Sequence, residues 1–281
     1  MHAPTSATVS ALCICGFLSA GALGAQTYAG NHLRDTWDFT LSGASVILSS
    51  QLRVDGEQRP GTDIDVESIL GLDKNKFQPR FAATWRPGRR NELEIGYQFV
   101  RREATQTLTR DIVFRDSTYQ LGRRVDTRFN SDQLFLTYRF SFWSTENVQA
   151  GLGLGVGALF LDATLSLLAA GGANTVQFAA GKKYTAPTGS VGAFGRWAFG
   201  SQSILSADIR AIQANVSDVN AKVWEGGASY RYYFTRMFGG ELGYGVSDFD
   251  IDLKRQRAGR DLDTRLRYTL QNLHFGVVIA L

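Results

Sequence analysis

Hydrophobic and polar residues alternate along most of the chain after residue 35. In a clear case, Leu134, Leu136 and Tyr138 fall on one face of an extended segment, and Thr137 and Arg139 fall on the other. A period of two places successive side chains on opposite faces of a β-sheet. The alternation predicts strands at residues 37–54, 76–87, 91–106, 127–143, 147–165, 185–199, 203–217, 221–235, 238–254 and 264–281.

The predicted strands are long, and the links between them alternate in length. Most strands exceed the ~9–11 residues that a tilted strand needs to cross a bilayer, whereas soluble strands usually have about 5–6. Short turns at 87–90, 144–147, 200–202 and 235–237 alternate with longer links, as in membrane barrels. The pattern predicts an all-β fold, an antiparallel up-and-down transmembrane β-barrel of about ten strands. Eight or twelve strands remain open, because residues 107–126 could contain another hairpin.

Aromatic residues cluster beside the predicted short turns. Aromatic rings at strand ends are typical of the membrane–water interface, whereas ordinary core aromatics, the alternative, would lie in mid-strand. The predicted interface aromatics are Trp85, Phe142, Trp143, Trp197, Tyr232 and Phe234. A second, looser ring could include Phe160, Trp224, Tyr244 and Tyr268.

The polar faces of the predicted strands carry basic and acidic residues in nearly equal numbers. A ten-stranded barrel has a narrow interior that side chains largely fill, and unpaired charges there would be costly. We therefore expect these charges to pair across the lumen as a plug; the alternative is the solvated outer face of a soluble barrel. The candidate lumen network is Arg80, Glu94, Arg139, Arg196, Asp208, Arg210, Glu225, Arg231, Glu241 and His274.

Two segments depart from simple alternation of large side chains. Gly151, Gly153, Gly155 and Gly157 share the predicted lumen face of one strand. Glycine there leaves room for bulky lumen side chains or lets the sheet bend tightly, and widening of a pore is the alternative. Residues 63–73 do not alternate, and could form a short helix or a tucked loop.

The first 25 residues differ from the rest because they contain no Lys, Arg, Asp or Glu. An apolar run at about residues 11–23, followed by small residues, is typical of a cleavable secretory signal. Both cysteines, Cys13 and Cys15, lie inside it. The predicted organisation is a signal peptide at 1–25, an N-terminal tail at 26–36 and an outer-membrane barrel at 37–281.

The chain resembles the Gram-negative outer-membrane β-barrel proteins of the β-barrel-domain class. The resemblance covers residues 30–281, and its main segment is IDVESILGLD leading into PRFAATWRPGRRNELEIGYQF. The last strand alternates up to Leu281, where the family usually ends in Phe; here Phe275 lies further in. The resemblance implies location in the outer membrane, contact with its lipid and assembly by the barrel-assembly machinery, and we expect a monomer.

Basic residues near the long links are candidate contacts for lipopolysaccharide. Arginine pairs well with phosphate, and the alternative is an ordinary solvated loop with mixed charge. The candidates are Arg101, Arg102, Arg110, Arg115, Arg123, Arg124, Arg128, Lys182, Lys183, Lys254, Arg255, Arg257 and Arg260. The formal net charge of +4 gives no nucleic-acid signature.

Residues that could carry catalysis or bind a metal are scarce. His274 is the one histidine in the predicted barrel, and metal or nucleophilic sites need several converging groups. We therefore expect no cofactor, no metal site and no enzyme, but a structural or adhesive barrel or a narrow channel. The alternatives are an outer-membrane enzyme acting on lipid or peptide at the barrel rim and a soluble periplasmic binding barrel.

Overall fold

The structure, a computed structural model, describes residues 32–55, 60–114, 117–120, 122, 124–168, 182–216, 219–257 and 260–281. The predicted signal peptide and residues 26–31 of the predicted tail lie outside this range. The elements in chain order are a 3-10 helix (His32–Arg34), β1 (Trp37–Val54), β2 (Ile64–Asp65), α1 (Val66–Leu70), β3 (Asn75–Trp85), β4 (Asn91–Thr107), β5 (Ile112–Phe114), β6 (Ser117–Tyr119), β7 (Arg124–Ser144), β8 (Val148–Leu168), β9 (Lys182–Phe199), β10 (Ser203–Val216), β11 (Val219–Tyr233), β12 (Phe238–Arg257) and β13 (Arg260–Ala280). No helix among the described residues is long and apolar enough to cross a membrane.

Ten of the described strands close into one antiparallel barrel. The ring runs β1-β3-β4-β7-β8-β9-β10-β11-β12-β13, and β13 pairs back onto β1. The predicted up-and-down barrel of about ten strands is therefore confirmed. The link at 107–126 does contain a hairpin, β5–β6, but this hairpin forms its own two-stranded sheet outside the wall.

The outer surface on the short-turn side is a belt of exposed apolar side chains. In β12 the outward-facing positions carry no charge from Phe238 to Val246, and Asp248 is the first outward charge. At ~3.3 Å per residue and a strand tilt of ~40°, this run spans about 23 Å of height. The outward apolar band of a membrane barrel is ~25 Å tall. We call this part of the barrel the membrane half. The protein is therefore an outer-membrane barrel, and the alternative of a soluble periplasmic binding barrel is wrong.

Beyond the belt, the same strands continue with charged side chains outside. Asp250 of β12 accepts from Arg267 of β13 at 3.3 Å, and Asp252 accepts from Arg265 at 2.9 Å. The interior at this level is mostly apolar, with Val46 and Leu48 among the buried side chains. One buried ion pair, Glu67 with Arg102, also lies there. We call this loop-side part the projecting half. Its arrangement of apolar inside and charged outside is that of a water-exposed barrel.

The barrel wall has one short strand. β3 pairs with β4 over only six residue pairs, whereas β4 pairs with β7 over seventeen. Next to the part of β4 that β3 does not pair with, the chain enters the barrel mouth and forms α1. The Ser68 amide donates to the Asp65 carboxylate at 2.8 Å, which caps the helix and lowers the pKa of Asp65, and Gly71 ends the helix at a φ of 70°. Residues 63–73, which the alternation left unplaced, thus contain the short strand β2 and a five-residue helix at the barrel mouth.

Candidate functional site: the barrel lumen

A layer of ion pairs crosses the lumen of the membrane half. Its centre is the buried carboxylate of Glu92, which accepts from Arg86 Nε at 2.8 Å, Arg139 Nη1 at 2.6 Å and Arg196 Nη2 at 2.7 Å. Glu94 accepts from Arg139 at 2.7 Å and from Arg80 at 3.0 Å. Four strands and one turn supply these groups, so the layer connects strands that are not neighbours in the wall.

A second group of charges continues the layer toward β1 and β13. Asp38 accepts from Arg86 Nη2 at 2.6 Å and from Arg231 at 3.4 Å, and Arg231 also pairs with Glu241. His274 Nε2 lies 3.5 Å from the same Glu241 carboxylate. Every carboxylate in the two groups therefore faces at least one arginine.

All ten residues of the candidate lumen network face the barrel interior. Seven belong to the two groups above, and Arg210 forms a third with Glu225 at 3.2 Å and Asp208 at 3.5 Å. The candidate network omitted Asp38, Arg86 and Glu92, although Glu92 is the centre of the layer. Parity along β1 carries the signal for Asp38, because the even-numbered residues from 38 to 50 are all buried.

The 3-10 helix closes the short-turn mouth of the barrel. The His32 ring stacks on Tyr233 with centroids 3.6 Å apart, and Gln149 donates to the Leu33 carbonyl at 3.3 Å. Leu33 is buried in a cluster that includes Ile204 and Val278. The described end of the predicted tail therefore lies inside the mouth.

Two apolar layers close the lumen on the loop side. In the first, Phe249 and Tyr268 stack with centroids 4.0 Å apart next to Leu48. Tyr268 was a candidate for the looser aromatic ring; that prediction is wrong, because Tyr268 faces inward and is only 7% exposed. In the second layer, α1 residues Ile69 and Leu70 pack against residues from β4 to β7.

One buried ion pair fastens α1 to the wall. Arg102 Nη1 donates to Glu67 Oε1 at 2.8 Å, and the Ser50 amide donates to Glu67 Oε2 at 2.7 Å. The Arg102 side chain is only 1% exposed. Its prediction as a lipopolysaccharide contact is therefore wrong, because β4 turns it into the lumen. Arg101, one residue earlier, does face outward and pairs with Asp132.

A polar chamber of about 180 Å³ remains between the ionic layer and the apolar layers. Small residues on β11 and β12, including Gly227, Ser229 and Ser247, leave this space empty. The opposite wall carries amides such as Gln78 and Gln98. The lumen is thus filled at both ends and open in the middle.

The alternating glycines of β8 face the lumen. A Cβ at Gly151 would lie 2.0 Å from the Phe140 carbonyl oxygen and 2.8 Å from the Phe194 ring. A Cβ at Gly157 would lie 2.5 Å from the Leu134 carbonyl oxygen. These glycines therefore allow close approach of neighbouring backbone and of a bulky lumen ring.

The short-turn ends of the strands carry, on the outer surface, the aromatic side chains that the sequence predicted for the membrane interface. Trp85 stacks on Trp37 with ring centroids 5.9 Å apart, so that β1 and β3 both contribute to the turn-side ring. All of the predicted interface aromatics are exposed on the outer surface near the short turns, namely Trp85, Phe142, Trp143, Trp197, Tyr232 and Phe234.

The described residues offer little that resembles catalytic chemistry. The His274 ring faces the Glu241 carboxylate on one side and the Asn272 amide oxygen, 3.2 Å from Nδ1, on the other. No group of His, Cys, Asp or Glu within the described part of the chain is arranged to hold a metal ion. Of the basic loop candidates, Arg115 and Arg123 lie outside the described residues.

No family model and no curated protein matches this chain. Among solved structures, the chain is similar to the outer membrane protein AlkL, at 13% identity over 92% of this chain and 94% of that one, with a TM-score of 0.36. It is similar to the NanC porin, at 9% identity over 86% and 100%, with a TM-score of 0.36. It is also similar to a Pseudomonas aeruginosa FadL homologue, at 10% identity over 87% and 90%, with a TM-score of 0.34.

Proposed function

We propose that this protein is a closed, non-enzymatic barrel that holds a rigid, charged β-structure above the surface of the outer membrane. The observation that carries the proposal is the double closure of the lumen. The Glu92 layer and the 3-10 helix fill the short-turn side, and the Phe249–Tyr268 layer and α1 fill the loop side. An ion crossing this path would have to displace both ionic and apolar packing.

The projecting half supports a structural or adhesive role over a channel. Its outward pairs, such as Asp250 with Arg267, form a solvated surface on strands that continue directly from the membrane half. Strand continuation on this scale is unnecessary for a pore, because ~9–11 residues per strand suffice to cross the bilayer. Among the described residues, the barrel rim has no pair of a base and a nucleophile that would favour the alternative of an outer-membrane enzyme.

Planar-bilayer recording tests the closed state. We expect barrels refolded in detergent and inserted into the bilayer to give no steady conductance steps, because the lumen is blocked at two levels. Repeated steps of uniform size would contradict the proposal and favour a channel. A heat-dependent shift in gel mobility must first establish that the inserted protein is folded.

Single-cysteine labelling provides the matched control for orientation. The sequence contains cysteine only at positions 13 and 15, so in a Cys13→Ala, Cys15→Ala background a cysteine introduced in the barrel gives an unambiguous signal. Gln120→Cys lies on the exposed loop side, and Gly88→Cys lies in a short turn where a Cβ meets no neighbour. A membrane-impermeant maleimide should label the first on intact cells and the second only after lysis. The reverse result would place the projecting half in the periplasm and overturn the display role.

A further inference from the structure

Two partly exposed side chains of opposite charge line the chamber in the middle of the lumen. Arg80 on β3 and Asp208 on β10 are the least covered charged side chains lining it, at 36% and 40% exposed. Other lining charges, such as Glu94 and Glu225, are only 10% and 12% exposed. Most of the lining charges are thus buried within their ion pairs, whereas Arg80 and Asp208 remain partly exposed to the chamber.

These two residues face each other across the barrel. In the ten-strand ring, β3 and β10 are five strands apart in either direction, so they lie on opposite walls. Arg80 uses one amino nitrogen for Glu94 and lies over the Phe135 ring at 5.1 Å, which fixes its guanidinium at the chamber wall. Asp208 has Arg210 at 3.5 Å, longer than a normal charge-assisted hydrogen bond.

Neutral polar groups surround each charge with matching chemistry. Gln78 and Gln98 line the wall near Arg80 on β3 and β4, and their amides can donate to a carboxylate. Ser206 and Ser229 line the wall of β10 and β11, and their hydroxyls can accept from an ammonium group. Packed side chains of the ionic layer and of the Phe249–Tyr268 layer lie on either side of this level.

We infer that the chamber binds a small zwitterion, with its carboxylate on Arg80 and its ammonium group on Asp208. A ligand with both charges adds a second partner to Arg80 and to Asp208, whereas an ion of one sign would gain a contact with only one of them. This binding site goes beyond the proposed display function, and a closed barrel can hold it whether or not display is correct.

Equilibrium dialysis with labelled ω-amino acids, from glycine to 6-aminohexanoate, tests the site. The barrel is refolded from urea into detergent in the presence of the ligand, which removes the need for the ligand to pass the closed ends. We expect one member of this series to bind, and its carboxylate-only and amine-only analogues to bind at least about tenfold more weakly.

Two variants and two matched controls locate the binding. Arg80→Gln and Asp208→Asn should each weaken binding at least about tenfold. Arg267→Gln and Asp250→Asn remove the same charges from the outer face and should leave binding unchanged. If no member of the series binds to barrels that show the heat-dependent gel shift, the chamber holds only water and the inference is wrong. Equal binding to wild type and to Asp208→Asn would also overturn it. Conductance is recorded separately, so failure of this site is distinguishable from failure of the closed barrel.

Discussion

The membrane half and the projecting half are built from the same ten strands with opposite polarity. In β1, Leu41 faces outward and Ser42 inward in the membrane half, whereas Leu48 faces inward and Ser49 outward in the projecting half. Side chains alternate between the two faces along the whole strand. Apolar residues, however, occupy the outer face in the membrane half and the inner face in the projecting half. The solvent outside each half explains the exchange, because lipid favours apolar side chains and water favours charged ones.

The sharpest test of this comparison is removal of one charge from the buried layer. Arg139→Leu leaves Glu92 and Glu94 with fewer partners in a buried position, which should cost roughly 3–5 kcal/mol of unfolding free energy. Urea unfolding in detergent, followed by loss of the heat-dependent gel shift, measures it. An unchanged midpoint would mean that water reaches the layer and that the plug is not packed.

A second test places the same charge on one face of one strand in each half. Leu41→Arg puts a guanidinium against lipid and should cost about 2–4 kcal/mol near the middle of the bilayer. Ser49→Arg, on the same outward face but in water, should change stability by less than about 0.5 kcal/mol. Folding into lipid vesicles over a urea series compares them. Equal costs would remove the boundary between the two halves.

The smallest effect is expected for an ion pair on the outside of the projecting half. Asp250→Asn breaks its contact with Arg267, where both side chains are about half exposed, and should cost less than about 1 kcal/mol. High salt should reduce the difference further, because screening weakens exposed pairs. The same urea assay detects it. A cost similar to that of Arg139→Leu would show that location does not decide the value of these pairs.

The sequence is informative about the wall and less so about the interior. Alternation and turn spacing identify all ten barrel strands, because the two faces of each strand meet different surroundings and therefore carry different classes of residue. They miss the role of Glu67 and Arg102, since a contact between a loop helix and a strand has no periodic signal. They also misplace Tyr268. The second aromatic ring was predicted on the assumption that apolar side chains face outward along the whole strand, whereas in the projecting half they face inward. The position of Glu92 at the centre of the ionic layer depends on strand register, which alternation alone does not specify.

The ladder between β1 and β13 runs through seventeen residue pairs, from Asp38 with Ala280 to Val54 with Thr264. It passes from lipid to water without a break, so that the barrel has no hinge at the membrane surface along this ladder. A pull on the exposed loops therefore loads the hydrogen bonds of this ladder in shear, and many of them must fail together before the strands separate. Tension applied to these loops would be transmitted to the bilayer as tilt or displacement of the whole cylinder.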